Sequence, residues 1–174
     1  MTRVRRPALS WALSALPLAL VSGLHAQSTW DQYAPGQLFR IAVREREAAI
    51  ADPIVAKSIA IISVDRIGLR ARLVYLGQSR PVSITHRAIF RQWRQVMRLP
   101  ASLDSLFTVE CLFGEDTFHV WVPIQEPLRH SLLSELRPGD SVTVLVSYIG
   151  AQRADSVLDW LFTVNEWDAD GPDK

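Results

Sequence analysis

The chain is constrained most strongly by an alternation in which every second residue is apolar. Five segments of seven residues show this alternation, at 69–75, 107–113, 118–124, 142–148 and 158–164. A β-branched run at 59–64 is typical of a sixth strand. Because successive side chains of a strand point to opposite faces, each segment can bury one face and expose the other. The pattern therefore predicts a sheet with one apolar face.

Turn-forming residues join these six segments into three hairpins, at 65–68, 114–115 and 150–156. In the second hairpin, Gly114-Glu115 fits a two-residue type II′ turn. That turn places Cys111 opposite Phe118 and Val109 opposite Val120. We choose this register because it puts both apolar faces on the same side, whereas a slip of one residue would separate them.

Three further segments favour helices. Ile89, Trp93 and Met97 form an apolar stripe that predicts a helix over 85–98. Pro127 suits a first helical residue and precedes a leucine-rich segment. Residues 37–52 favour a third helix because 44–49 are rich in helix formers. The sequence thus predicts an α+β fold: an antiparallel sheet or small barrel of about six strands in three hairpins, with two to three helices.

The first 26 residues have the order of a secretory signal peptide. Three arginines precede an apolar segment, and the small residue Ala26 marks the expected cleavage point. We therefore divide the chain into residues 1–26 as signal peptide, 27–53 as an N-terminal segment, 54–167 as an α+β domain and 168–174 as an acidic mobile tail. This division predicts an exported protein that is periplasmic or secreted.

Removing the leader changes the sign of the net charge. The full chain has 19 basic and 18 acidic residues, and loss of Arg3, Arg5 and Arg6 leaves 16 and 18. A slightly acidic mature chain argues against a nucleic-acid partner. No apolar run of the mature chain is long enough for a transmembrane span.

No sequence motif indicates a cofactor or a metal. The chain contains no glycine-rich phosphate loop, nucleophile elbow or zinc-binding helix motif, so we expect no cofactor. His86, His119 and His130 are too widely separated to predict a metal site. Cys111 is the only cysteine and excludes an internal disulfide. The alternation places Cys111 on the buried face, where a thiol is poorly reactive.

The predicted register also places Glu110 opposite His119 on the outer face of the second hairpin. A carboxylate beside an imidazole can orient the ring for proton transfer, so these residues are the catalytic candidates. The alternative is a cross-strand charge pair with no chemical role.

A second candidate site is a stripe of four arginines on the helix predicted at 85–98. Arg87, Arg91, Arg94 and Arg98 are spaced so that they share one helix face. Such a stripe suits a ligand-binding role toward an envelope protein, an anionic polymer or a lipid headgroup. The alternative is a solvated face that pairs with acids elsewhere, such as Asp155 and Asp159.

These observations favour an exported non-enzymatic binding or accessory module of the cell envelope, which uses the arginine stripe or an exposed sheet face. One alternative is a small hydrolase or transferase using Glu110 and His119. Another is a structural subunit of an envelope assembly. Neither the ligand nor the partner follows from the sequence, because no motif specifies one.

Overall fold

The structure, a computed structural model, describes residues 33–65, 67–154 and 157–168. The predicted signal peptide lies outside these ranges, as does the predicted tail apart from Asp168. The strands are β1 Ala34–Pro35, β2 Ala60–Ile62, β3 Gly68–Pro81, β4 Phe107–Glu115, β5 Phe118–Gln125, β6 Ser141–Ala154 and β7 Val157–Asp168. The helices are α1 Leu38–Ala51, α2 Ile84–Val96 and α3 Glu126–Glu135, with short 3₁₀ turns at Val55–Lys57 and Ala101–Ser105.

Five of the strands close into a ring in the order β3-β4-β5-β7-β6, because β3 also pairs with β6. The long strand β3 achieves this by pairing with β6 from Gly68 to Val74 and with β4 from Val74 to Pro81. Most neighbours are antiparallel, but β5 pairs with β7 in parallel and β1 pairs with β3 in parallel. The α+β prediction is confirmed, whereas the prediction of about six antiparallel strands is wrong, because seven strands form a mixed sheet.

The strand order of the ring resembles that of an OB fold, a partly open five-stranded barrel. In that fold the first strand pairs with the second and the fourth, and the third pairs in parallel with the fifth. Here β3 is the first strand of the ring, and α3 lies between the third and fourth strands, β5 and β6. Helix α2 lies in the connection between the first two strands of the ring.

The first predicted hairpin does not form. Strand β2 pairs with β6 instead of β3, through Ala60–Ile62 opposite residues 150–152. Both β2 and β3 are antiparallel to β6, so the chain continues along one edge of β6 instead of turning back. Gly150 permits this close approach, because a Cβ there would lie 2.2 Å from the carbonyl oxygen of Ile61.

The other two hairpins form, but the turn predicted at 150–156 is too long, because β6 continues to Ala154. The register predicted for the second hairpin is wrong. Cys111 lies opposite Val122, and Phe113 lies opposite Val120. The turn is Asp116-Thr117, and Asp116 adopts the left-handed conformation with φ 53° that aspartate tolerates. Each residue of β4 therefore pairs four residues further along β5 than predicted, because the turn lies two residues further along the chain. A shift by an even number of residues keeps every side chain on its face, so apolar alternation could not distinguish the two registers.

The main core fills the inside of the ring. Every ring strand contributes its inward-facing apolar side chains, and α1 and α3 add Leu38 and Leu132. Cys111 is buried among them, which confirms its predicted placement. The three helices lie where the sequence favours helix, and α2 begins within one residue and ends within two of its predicted bounds.

Helix α2 packs against the outside of the ring and forms a second, smaller core. Ile89 and Phe90 of α2 are buried against Ile149 of β6 and Leu161 of β7. The ring of Phe90 also meets that of Phe107 edge to face, with centroids 5.0 Å apart. Because α2 covers part of the outer wall, polar residues on that wall become buried beneath it.

Glu115 attaches α1 to the turn between β4 and β5. Its carboxylate accepts hydrogen bonds from the backbone N–H groups of Leu38, at 3.1 Å, and Phe39, at 2.8 Å. These N–H groups belong to the first turn of α1 and have no partner within the helix. The carboxylate therefore stabilises the helix start that places Leu38 in the core.

We expect Glu115→Ala to lower the free energy of unfolding by about 1–3 kcal/mol, because it leaves two N–H groups without an acceptor. Glu115→Gln should recover part of the loss, since its amide oxygen can still accept. Glu47→Ala is the control on the exposed side of α1. Urea unfolding measures all three variants. A Glu115→Ala loss no larger than that of Glu47→Ala would contradict the capping role.

Candidate functional site

A buried ion cluster lies between α2 and the outer wall of the ring. His86, in the first turn of α2, and Glu110, on β4, are 1% and 0% exposed. The Nδ1 of His86 is 2.6 Å from Oε2 of Glu110, and its Nε2 is 3.2 Å from Oδ1 of Asp159 on β7. Arg80 of β3 completes the cluster, with its Nε donating to Oε1 of Glu110 at 2.5 Å. We call these four residues the buried ion cluster.

Local structure holds the two ends of this cluster in place. Ser83 precedes α2, and its side-chain oxygen accepts a hydrogen bond from the backbone N–H of His86 at 3.1 Å. The guanidinium of Arg80 lies 3.9 Å above the ring of Trp121 on β5, in a cation–π contact. The cluster therefore connects α2 to three strands of the ring and to β5 through Trp121.

The cluster shifts the pKa values of its two buried members in opposite directions. Burial alone lowers the pKa of His86, but hydrogen bonds to Asp159 and Glu110 outweigh it and raise that pKa to about 9. Burial raises the pKa of Glu110, but His86 and Arg80 outweigh it and hold that pKa below its ordinary value. At neutral pH the cluster therefore contains an imidazolium beside a carboxylate.

Both ring nitrogens of His86 are engaged by carboxylates, and both oxygens of Glu110 are engaged by cations. A general base needs a free lone pair within reach of its substrate. The arrangement therefore serves to attach α2 to the ring and offers neither group for proton transfer.

A cleft of about 230 Å³ lies next to this cluster. We call it the α2 cleft. Its apolar lining comes from Val82, Phe90, Phe107, Pro123 and Leu161. Its charged lining comes from Arg87 and Arg91 of α2, from Asp104 of the following 3₁₀ turn, and from His86. The cleft thus joins an apolar surface to a cationic one.

The four predicted arginines do not act as one stripe. Only Arg87 and Arg91 line the α2 cleft. Arg94 is 13% exposed in its side chain, and its Nε donates to Asp104 at 2.8 Å. Arg98 follows the end of α2 and has φ 54°, outside the helical region.

The acid that lies near these arginines is Asp104 and not the predicted Asp159. Asp104 pairs with Arg94 and lies 4.0 Å from Nε of Arg91. Asp159 binds His86 instead of an arginine, and Asp155 lies outside the described ranges. Arg91 keeps 63% of its side chain exposed, so it remains accessible to a ligand.

Glu110 and His119 do not face each other. Glu110 lies opposite Pro123, whereas His119 lies opposite Gly114 and is exposed. Four residues of β4 separate the two positions, which is about 13 Å along a strand. The predicted pairing is therefore wrong, because it depended on the wrong register.

His86 is the residue that the sequence analysis missed. A signal for it exists, because His86 precedes Ile89, Phe90 and Trp93 at helical spacing and so shares the apolar stripe of α2. A histidine on such a stripe must find polar partners when it is buried. The sequence alone does not show that these partners are Glu110 and Asp159.

Comparison of the chain with protein-family models, with curated proteins and with solved structures yields no match. Within the described ranges, no helix is long and apolar enough to cross a membrane. In the same ranges, no group of three or more histidine, cysteine, aspartate or glutamate residues is arranged to hold a metal ion. The candidate site must therefore be interpreted from its own geometry.

The cluster predicts a pH dependence of stability. The pKa of His86 in the folded chain is above its ordinary value of 6.5, so its contribution is complete below pH 6.5 and is lost as pH rises through about 9. The pKa of Glu110 is below its ordinary value of 4.5, so its contribution is present above pH 4.5 and is lost in acid. Stability should be greatest between these limits.

We expect the free energy of unfolding to fall by about 2 kcal/mol between pH 7 and pH 9, measured by urea unfolding. The measurement is made in a Cys111→Ser background, because the thiol would otherwise titrate in the unfolded chain. His86→Gln should flatten the profile, and His130→Gln, which changes an exposed histidine, should not. A free energy of unfolding that does not change between pH 7 and pH 9 in the Cys111→Ser protein would exclude a protonated His86. A His86 imidazole resonance that titrates near pH 6.5 would exclude it as well.

The buried thiol predicts slow chemical labelling. Burial raises the pKa of Cys111 to about 12, which leaves almost no thiolate at pH 8. We expect iodoacetamide to label native Cys111 at least about 100-fold more slowly than the unfolded chain. The control is Thr117→Cys in a Cys111→Ser background, which puts a thiol on the exposed turn. Equal labelling rates for the two native proteins would contradict the placement.

Proposed function

We propose that the chain is an exported, non-enzymatic binding module of the cell envelope, and that its ligand site is the α2 cleft. The observation that carries the proposal is the pairing, in one cleft, of an apolar lining with the accessible cations Arg87 and Arg91. Export is inferred from the first 26 residues alone.

The ligand we propose is a protein segment that presents one large apolar side chain next to a carboxylate. Pockets for drug-sized ligands measure roughly 300–1,000 Å³. The α2 cleft measures about 230 Å³, which suits a single side chain better than a whole cofactor. A few such anchor side chains carry most of the affinity of a typical protein interface.

The charges of the cleft favour an acidic segment. Arg94 donates to Asp104 at 2.8 Å, whereas Arg91 is 4.0 Å from the same carboxylate. Arg87 uses its Nε to donate to the carbonyl oxygen of Val82 at 2.9 Å, which orients its guanidinium beside the cleft. Both arginines therefore keep donors for a ligand carboxylate, and charge-assisted hydrogen bonds of this kind are strong.

The fold supports the same location by analogy. OB folds bind ligands on the face of their second and third strands and between the neighbouring loops. In this chain those strands are β4 and β5, which contribute Phe107 and Pro123 to the cleft, and α2 lies in the adjoining connection. Fold analogy alone does not specify a ligand, so the proposal depends on the residues that line the cleft.

The geometry favours binding over a hydrolase or transferase that uses Glu110 and His119. Glu110 is buried with both oxygens engaged, and His119 is about 13 Å away along the sheet. The second alternative, a structural subunit of an envelope assembly, predicts a permanent complex instead of an exchangeable peptide ligand. Peptide binding by the isolated chain would favour the binding module over the structural subunit.

Selection of random peptides by display against the purified chain tests the proposal. We expect enrichment of peptides that combine an acidic residue with a neighbouring large apolar residue. Affinity should fall at least about 10-fold in the double variant Arg87→Glu/Arg91→Glu, and it should also fall as salt is raised. Both side chains are exposed, so the fold should tolerate the change.

Arg72→Glu/Arg137→Glu is the matched control, because it reverses two exposed arginines that do not line the cleft. It should leave peptide affinity within about twofold of the parent value. No enrichment of acidic and apolar peptides would refute the proposed ligand. Equal affinity for the two double variants would refute the proposed site.

A further inference from the structure

A second groove lies between α1 and the β6–β7 hairpin, and it shares no residue with the α2 cleft. We call it the α1 groove. It measures about 340 Å³, within the range of small-molecule sites. Arg46, Ala49 and Ile50 line it from α1, and Arg153, Val157 and Trp160 line it from the hairpin.

The first observation about this groove is a buried guanidinium nitrogen that lacks an acceptor. The Nε of Arg153 is buried and has no hydrogen-bond partner in the part of the chain that the structure describes. A buried donor without an acceptor costs about 1–3 kcal/mol, and more when it is charged. Buried donors in native proteins normally have an acceptor, so this nitrogen indicates that a bound molecule supplies one.

The second observation concerns Arg46, the other arginine of the groove. No ion pair joins Arg46 to any described residue, whereas its neighbour Arg44 pairs with Glu45 at 2.9 Å. Glu47, the next acid along α1, does not line the groove. Two guanidinium groups therefore line one groove whose described lining contains no carboxylate.

The backbone holds Arg153 rigidly in this position. Its N–H donates to the carbonyl oxygen of Ile59 at 2.7 Å, and its Cα lies opposite Leu158 in the β6–β7 pairing. Because the backbone is already ordered, only the side chain of Arg153 has to be ordered when it binds an anion.

The rest of the groove is apolar and accessible. Ile50 and Val157 are 63% and 67% exposed, which is unusual for side chains of this kind. Trp160 adds a large surface whose ring lies 6.2 Å from that of Tyr148, a residue of the core. Apolar residues that surround a groove in this way mark a binding site more often than an inert surface.

We propose that the α1 groove binds one organic anion with an apolar tail, of the class of medium-chain carboxylates. The carboxylate accepts hydrogen bonds from Arg153 and Arg46, which supplies the acceptor that Nε of Arg153 lacks. The tail covers Ile50, Val157 and Trp160 and removes their apolar surface from water. This site is independent of the α2 cleft and of the function proposed for it.

Titration calorimetry with decanoate tests the site. We expect one decanoate per chain, with at least about tenfold weaker binding in Arg153→Gln and in Arg46→Gln. Decanol, which lacks the charge, and acetate, which lacks the tail, should each bind at least about tenfold more weakly than decanoate. The indole N–H resonance of Trp160 should shift on addition of decanoate.

Arg40→Gln is the control on α1, because Arg40 is exposed and does not line the groove. It should bind decanoate like the parent, as should Arg87→Glu/Arg91→Glu, which alters only the α2 cleft. Arg46→Gln changes an exposed side chain and keeps the test valid if Arg153→Gln unfolds.

Two results would overturn the proposal. The first is absence of decanoate binding, or binding that neither arginine variant weakens. The second is sedimentation with phosphatidylglycerol vesicles without binding of free decanoate, which would assign the same residues to a membrane surface. Decanoate binding that survives in Arg87→Glu/Arg91→Glu supports the α1 groove whether or not the α2 cleft binds peptides.

Discussion

The double pairing of β3 is the constraint on which the rest of the structure depends. Its first half pairs with β6 and its second half with β4, and this closes the five strands into a ring. Closure directs one face of every ring strand inward, where Leu38 and Leu132 complete the core. It also removes the free edges that an open sheet would present. The outer wall of the ring then becomes the surface on which α2 lies and beside which the α2 cleft forms.

The buried ion cluster determines how α2 lies on that wall. Removing charges from water is costly, and such a cluster is stable only when its hydrogen bonds are satisfied. Here His86 meets two carboxylates, and Glu110 meets His86 and Arg80. These directional contacts fix α2 more specifically than its apolar contacts alone, so the α2 cleft keeps its shape. The α1 groove differs, because Nε of Arg153 has no acceptor and Arg46 has no ion pair among the described residues.

Much of the fold follows from local pattern. The seven-residue alternations lie within β3 to β7, and the periodic segments correspond to the three helices. Burial of Cys111 follows from the same alternation. The register of β4 with β5 does not, because a shift of four residues preserves both faces. The Asp116-Thr117 turn decides this register. The pairing of Glu110 with His119 was wrong for that reason.

The sequence by itself determined the positions of the three helices and of five strand segments, and the face that each segment buries, because these are properties of short segments with a fixed period. Tertiary structure alone decided that β2 joins β6, that β3 closes the ring, and that His86 meets Glu110 and Asp159. These contacts join residues that are distant in the chain, and many pairings satisfy the same periodicity. Only closure of the ring and burial of α2 against it select one of them.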